Sequence, residues 1–201
     1  MQASSGNVAG ARMEKPIDVA AIVGSLRRGS FTLRLVRSFD ALAPASMKIE
    51  IVEIRELSLY NQDDEAAPPA PWVSFRNRIK RADAVLFATP EYNRSIPGVL
   101  KNAIDVGSRP YGASAWSGKP AAVVSASPGA MGAFGANHHL RQSLVFLDMP
   151  TLQQPEAYIG QSDKLFDASG EFVNPATRDF CSKFLAAFEA WIRKQKHPAG
   201  P

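Results

Sequence analysis

The stretch G-S-L-R-R-G-S-F-T, Gly24 to Thr32, decides the fold. Before it runs I-D-V-A-A-I-V, Ile17 to Val23, an apolar segment too short for a helix and right for a buried strand. After it, Leu35, Val36, Phe39 and Leu42 recur at helical spacing. The turn between holds the hydroxyls of Ser25, Ser30 and Thr32, the guanidinium groups of Arg27 and Arg28, and Gly24 and Gly29. A strand entering a helix through small, hydroxylated, basic residues is suited to hold a phosphate. The first helical N–H groups lack internal partners, and the helix dipole is positive there. The dipole alone contributes only about 0.3–1 kcal/mol, so several donors must converge. The turn is not a nucleotide P-loop, because no lysine stands between Gly29 and Ser30. It is not a dinucleotide G-x-G-x-x-G turn either. The simpler alternative is a plain strand–helix turn with Ser30 as N-cap.

Working outward, Lys48 to Ile54 alternates Ile49, Ile51 and Ile54 with Glu50 and Glu53, the pattern of a less buried strand. Leu57 to Pro71 reads as a long loop with the acidic run Asp63, Asp64, Glu65, and long loops are often functional. Trp72, Phe75 and Ile79 space a helix. Ala84 to Thr89 is a third strand, and Gly98 to Gly107 a helix with Val99, Leu100, Ala103 and Ile104 inward. Ala121 to Ser127 is a fourth strand, and a glycine-rich turn leads into a helix running to about Leu147 with Leu140, Leu144 and Val145. Thr151 to Ile159 is a weak fifth strand, and Thr177 to Lys194 a strong amphipathic helix. Strand and helix thus alternate five times. Such alternation predicts an α/β fold with a parallel sheet covered on both faces and right-handed crossovers. The expected limits are an N-terminal tail at 1–15, one domain at 16–195 and a C-terminal tail at 196–201.

In such sheets the ligand lies beyond the C-terminal strand ends, where strand order reverses. Three turns should open there: Gly24 to Thr32, Pro90 to Pro97 and Ser127 to Gly135. In the second, Tyr92 offers an aromatic face, Asn93 an amide and Glu91 backbone groups near a strand end, suited to a flat heterocycle. Its alternative is a rigid loop in which Tyr92 only packs. In the third, glycines and alanines leave backbone amides uncovered, suited to an anion, and its alternative is a flexible loop.

The net charge of +4 fits binding of anionic small molecules, and no basic helix with interleaved aromatics points to nucleic acid. No apolar run reaches the ~18 residues of a membrane span. One cysteine, Cys181, excludes an internal disulfide and suggests a reducing compartment such as the cytoplasm. Three histidines with one cysteine show no metal-ligand spacing, and the adjacent His138 and His139 cannot share one helical face.

G-S-L-R-R-G-S-F together with T-P-E-Y-N-R-S-I-P-G-V-L-K-N-A-I-D resembles the NAD(P)H-dependent FMN reductase family, in its bacterial chromate/quinone reductase branch. His139 to Asp148 resembles that branch too, and the likeness runs from about Ile17 to Ile192. It implies a three-layer flavodoxin-like fold with five parallel strands in the order 2-1-3-4-5. It implies FMN as cofactor, NADH or NADPH as cosubstrate, and a homodimer or homotetramer. Ser25, Arg27, Ser30, Phe31 and Thr32 would surround the FMN phosphate, with Thr32 where relatives commonly have Asn. Pro90, Glu91, Tyr92 and Asn93 would line the isoalloxazine and ribityl chain, and Ser127 and Gly129 would approach the pyrimidine edge. Arg94 would face an anionic small-molecule acceptor. By the same resemblance the flavin N5 would carry the chemistry, so no side chain is assigned a catalytic role. Two departures stand out: Val106 follows Asp105 where relatives often have Trp, and Asn137 ends a turn where relatives often carry Arg. Gln62 to Glu65 could border a partner's site or be a solvated loop. The function implied is electron transfer from NAD(P)H to quinones, chromate or similar acceptors by a ping-pong mechanism. The rivals are an FMN electron carrier without NAD(P)H turnover and a nucleotide-binding module without flavin.

Overall fold

The computed structural model describes residues 15–196, so the expected tails lie almost wholly outside it. Strands β1 (Ile17–Val23), β2 (Met47–Val52), β3 (Ala84–Thr89), β4 (Ala121–Ala126) and β5 (Ala157–Ile159) form one parallel sheet. Its order is β2-β1-β3-β4-β5. Helices α1 (Phe31–Ser38), α2 (Ala70–Arg81), α3 (Gly98–Gly107), α4 (Phe134–Phe146) and α5 (Pro175–Lys196) connect and close it. The chain is thus the expected flavodoxin-like three-layer α/β sandwich.

Period-two alternation divides β1 between two cores. Val19, Ala21 and Val23 join Leu35, Phe39, Phe184 and Phe188 under α1 and α5. Ala20 and Ile22 join Trp72, Phe75, Leu100 and Leu140 under α2, α3 and α4. Burying each such large side chain contributes about 1.5–3 kcal/mol. Trp116, which no periodicity marked, is fully buried against Phe75 and Phe87. Its indole N–H donates to the Ile104 carbonyl at 2.9 Å and anchors the segment between α3 and β4.

Several sequence expectations shift. The first helix ends at Ser38, and a 3₁₀ turn at Phe39–Ala41 carries Phe39 into the core. β2 is an edge strand, so Ile51 is exposed and burial falls on Met47 and Val52, with Ile54 just beyond the strand. The long loop contains a 3₁₀ turn at Gln62–Ala66. β5 has only three residues, though Thr151 makes an isolated parallel bridge with Ala121. Val145 points out to solvent, because helix neighbours lie about 100° apart and Leu144 takes the inward position.

Candidate active site

β1 and β3 are the neighbours where strand order reverses, and the first turn begins between them. Gly24 still donates its N–H to the Ala88 carbonyl at 2.8 Å. Ser30 then caps α1, its Oγ accepting the Leu33 N–H at 3.2 Å and lying 3.0 Å from Thr32 Oγ1. Both hydroxyls are buried. The cap leaves the Phe31 and Thr32 amides outside the helix's own bonding, directed beyond its N-terminus. The Arg27 guanidinium folds 4.5 Å over the Phe31 ring and donates to the Gly29 carbonyl, which holds its charge at the rim of the turn.

The second turn is a hairpin. Tyr92 and Ser95 exchange both backbone hydrogen bonds, at 2.9 and 3.0 Å, around the left-handed Asn93 and Arg94. Two consecutive positive φ values are what a type I′ turn needs, and a left-handed arginine costs roughly 1–2 kcal/mol. Glu91 ties this hairpin to α4. Its Oε2 accepts the Ala136 N–H at 3.0 Å, in the first turn of α4 where the dipole favours a carboxylate. Its Oε1 accepts from Arg94 Nη1 at 2.9 Å. Gly135 makes room for this tether: a Cβ there would stand 2.9 Å from Glu91 Oε2.

The third turn is pinned from below. Ser127 donates its N–H to Ile159 and accepts at its carbonyl from the Ser162 N–H. Gly132 and Ala133 are both left-handed, and a Cβ on Gly132 would lie 2.6 Å from the Tyr158 carbonyl carbon. The Gly132 carbonyl accepts from Ser125 Oγ at 2.7 Å. Ser125 Oγ in turn accepts from Asn137 Nδ2 at 3.1 Å, and Asn137 Oδ1 from Arg141 Nε at 2.9 Å.

The three turns meet around a cavity of about 180 Å³. Ser25, Arg27, Ser30, Phe31 and Thr32 line one side, and Pro90, Glu91, Tyr92 and Ser127 the other. Ala126 and Pro128, which the sequence did not single out, complete it. Asn93, Arg94 and Gly129 do not line it, and Arg94 projects into solvent at the mouth. A family model for NADPH-dependent FMN reductases matches residues 17–164.

The chain belongs to the NADPH-dependent FMN reductase family.

A quinone reductase of Pseudomonas putida is 59% identical over 182 residues, covering 90% of this chain and 97% of its own. A 2-hydroxy-1,4-benzoquinone reductase of a Burkholderia species is 42% identical over 180 residues, covering 90% and 98%. Among solved structures, the flavoenzyme FerB of Paracoccus denitrificans, an NAD(P)H:(acceptor) oxidoreductase, superposes with a TM-score of 0.83. It shares 41% identity over 88% of this chain and 97% of its own.

Within this reductase fold, two side chains act differently from what their positions imply. Glu91 lines the cavity, yet its carboxylate is taken up by Ala136 and Arg94, so it shapes the site as a tether. Asn137 does not face the cavity where an arginine was looked for. It is fully buried, and it bonds Ser125 and the Ala157 carbonyl. The nearby Tyr158 hydroxyl is pushed up to about 12 by burial and by its hydrogen bond with Glu156. His138 Nε2 lies 2.8 Å from that hydroxyl, and His139 Nδ1 lies 2.7 Å from Ser95 Oγ, so each histidine engages a different element. The acidic turn is held to its own surroundings by the Tyr60 hydroxyl, which donates to Glu65 at 2.7 Å. Burial pushes the Cys181 thiol up to about 12, well away from reactivity at neutral pH.

Proposed function

We propose that this chain is an FMN-dependent oxidoreductase that catalyses NAD(P)H + H⁺ + quinone → NAD(P)⁺ + quinol by a ping-pong mechanism, with chromate and similar small acceptors also used. The observation that carries it is the meeting of the three turns, at the strand-order reversal, around one cavity floored by free helix amides. The donor set fits FMN. The Phe31 and Thr32 amides, the Ser25 hydroxyl and the Arg27 guanidinium supply the several donors that a phosphate requires. A volume of about 180 Å³ lies below the roughly 300–1,000 Å³ of a whole ligand pocket, which suits the phosphate tail with a flat ring at the open rim.

Bound FMN supplies the redox chemistry, accepting two electrons from NAD(P)H and returning them to the acceptor. The protein's part is binding and orientation. Ser25, Arg27, Ser30 and the helix amides hold the phosphate, and Phe31 and Thr32 close the cradle around it. Pro90, Tyr92 and Asn93 border the ring, with Tyr92 half-exposed as an aromatic wall. Ser127 and Gly129 present the backbone of the third turn to its polar edge. Arg94, 86% exposed and held at the mouth by Glu91, supplies a cation for an anionic acceptor. An electron carrier without NAD(P)H turnover is the second reading. Against it, the net charge of +4 is unlike the acidic surface that docks basic partners.

The one cysteine favours a cytoplasmic location. We place a homodimer or homotetramer contact on a groove of about 820 Å³, where Tyr111 and Phe146 stand exposed beside α3 and α4. Sedimentation of the purified protein as a monomer would remove that assignment. Anaerobic mixing of the yellow protein with NADPH, and separately with NADH, tests the activity. Bleaching followed by recovery of colour on adding a quinone is expected. Flavin that stays oxidised with both nucleotides overturns it.

A further inference from the structure

The hairpin of the second turn is tied to α4 at both arms, and the tie at its outgoing arm takes no part in the phosphate cradle. There Ser95 Oγ lies 2.7 Å from His139 Nδ1, whichever of the two gives the proton. On the incoming arm Glu91 Oε2 accepts the Ala136 N–H at 3.0 Å. Ala136 and His139 stand three residues apart, so they are neighbours on one side of the helix. The adjacent His138 turns to Tyr158 instead, at 2.8 Å.

Little else fixes the tip of the hairpin. Tyr92, Asn93 and Arg94 are all exposed, and Asn93 and Arg94 are left-handed. Two backbone hydrogen bonds between Tyr92 and Ser95 close it, and a bridge of that size is marginal in water by itself. Burial resumes at Ile96 and Pro97, where the chain leads into α3. Both closing bonds run through Ser95, so whatever holds Ser95 also holds Tyr92. Tyr92 in turn lines the cavity where the three turns meet, while His139 does not. The path from helix to cavity is therefore short: His139 Nδ1 to Ser95 Oγ, Ser95 backbone to Tyr92 backbone, Tyr92 to the cavity.

We propose that His139 is a positioning residue for the reaction: through Ser95 it holds Tyr92 in place as a wall of the cofactor site. The proposal rests on the reading that FMN lies beside Tyr92 and passes electrons to a quinone there. His139 acts at one remove, touching neither the flavin nor the acceptor.

The test is a double-mutant cycle on FMN-loaded protein, with Ser95→Ala, His139→Ala and the two combined. Ser95 is part-exposed and His139 exposed, so the variants should fold. Each single variant should lower kcat/KM for a quinone by about tenfold through misplacement of the wall. The double variant should fall no further than the worse single one, because both changes remove the same interaction. FMN affinity should hold, since the phosphate contacts lie on the first turn. The visible circular dichroism of the bound flavin should change in both alanine variants. His139→Asn keeps a hydrogen-bonding atom near the place of Nδ1 and should restore both the spectrum and most of the activity. Exchange of the Tyr92 and Ser95 amide protons, read by NMR, should quicken in His139→Ala. A control, Gln142→Ala, alters the groove that His139 also lines, one turn further along α4, and should leave exchange and spectrum unchanged.

Additive losses in the cycle would overturn the proposal, as would unaltered exchange of the Tyr92 amide. A loss of activity in His139→Ala that appears only with a change in sedimentation would overturn it too, because the histidine would then act through a subunit contact. Should the flavin stay oxidised with both NADPH and NADH, the oxidoreductase reading fails, while amide exchange still decides whether His139 holds Tyr92.

Discussion

At the scale of single residues, Arg27 stands at the rim of the first turn. Arg27 is held over Phe31 and against the Gly29 carbonyl, and among the described residues no carboxylate pairs with it. Arg27→Ala should weaken FMN binding by about 1.5–3 kcal/mol, roughly 10- to 150-fold, through loss of a charge-assisted contact. Flavin fluorescence quenching measures it, and an unchanged Kd would take Arg27 out of the site. Thermal stability should barely move, because the side chain is exposed. Ser30 and Arg27 were legible in the sequence because a cap and an unpaired charge beside a strand end are local features. Glu91 was not. Its partner Ala136 lies 45 residues away, and only folding brings the α4 amide to it.

At the scale of elements, the third turn is an extension of α4 and β5 rather than a free loop. The chain from Arg141 through Asn137 and Ser125 to the Gly132 carbonyl crosses from α4 under β4 to the turn. It fixes Gly132 and Ala133 in left-handed conformations that a loose loop would abandon. Asn137→Ala leaves the Ser125 hydroxyl and Arg141 Nε short of a partner in a buried place. The expected cost is about 1–3 kcal/mol per orphaned group, read by urea unfolding. FMN affinity should fall as well, since the turn borders the cavity. Wild-type stability in this variant would show that the polar chain is not structural. Composition had marked the turn as glycine-rich, which is equally the mark of a flexible loop. The difference is made by Ser125 and Asn137, and nothing in their local spacing announces that they meet.

At the scale of the whole molecule, α5 clasps the sheet at the end away from the site. Ser46, just before β2, donates to Glu189 at 2.6 Å, and Arg193 donates to the same oxygen at 2.9 Å. Lys196 reaches Asp83 at 2.6 Å, and the Trp191 indole N–H donates to the Pro150 carbonyl at 2.8 Å. The Ser46 hydrogen bond holds the Glu189 carboxyl below its ordinary value near 4.5, burial opposing and Arg193 assisting. A depressed carboxyl contributes stability that is fully present above its ordinary value and lost as pH falls through the lower native value. Glu189→Gln should therefore cost about 1 kcal/mol or less at pH 7, a cost that fades toward pH 3. Urea unfolding at the two pH values checks it, with FMN affinity expected to hold because the clasp is remote from the cradle. An equal cost at both pH values would mean that the carboxylate charge is not what matters.

The sequence alone determined the alternation of strands and helices, the positions of the three turns and the cationic, hydroxyl-rich character of the first. Each of these rests on interactions within about four residues along the chain, which is the range that periodicity reports. Tertiary structure decided which side chains face the cavity, which tie one turn to another, and why Val145 and Ile51 lie outside a core that their hydrophobicity suggested. It also set Phe166 under Arg34, 132 residues apart in the chain. The physical reason is that crossovers and sheet order bring distant segments together through packing of both faces at once, and no local pattern encodes which partner a given side chain will meet.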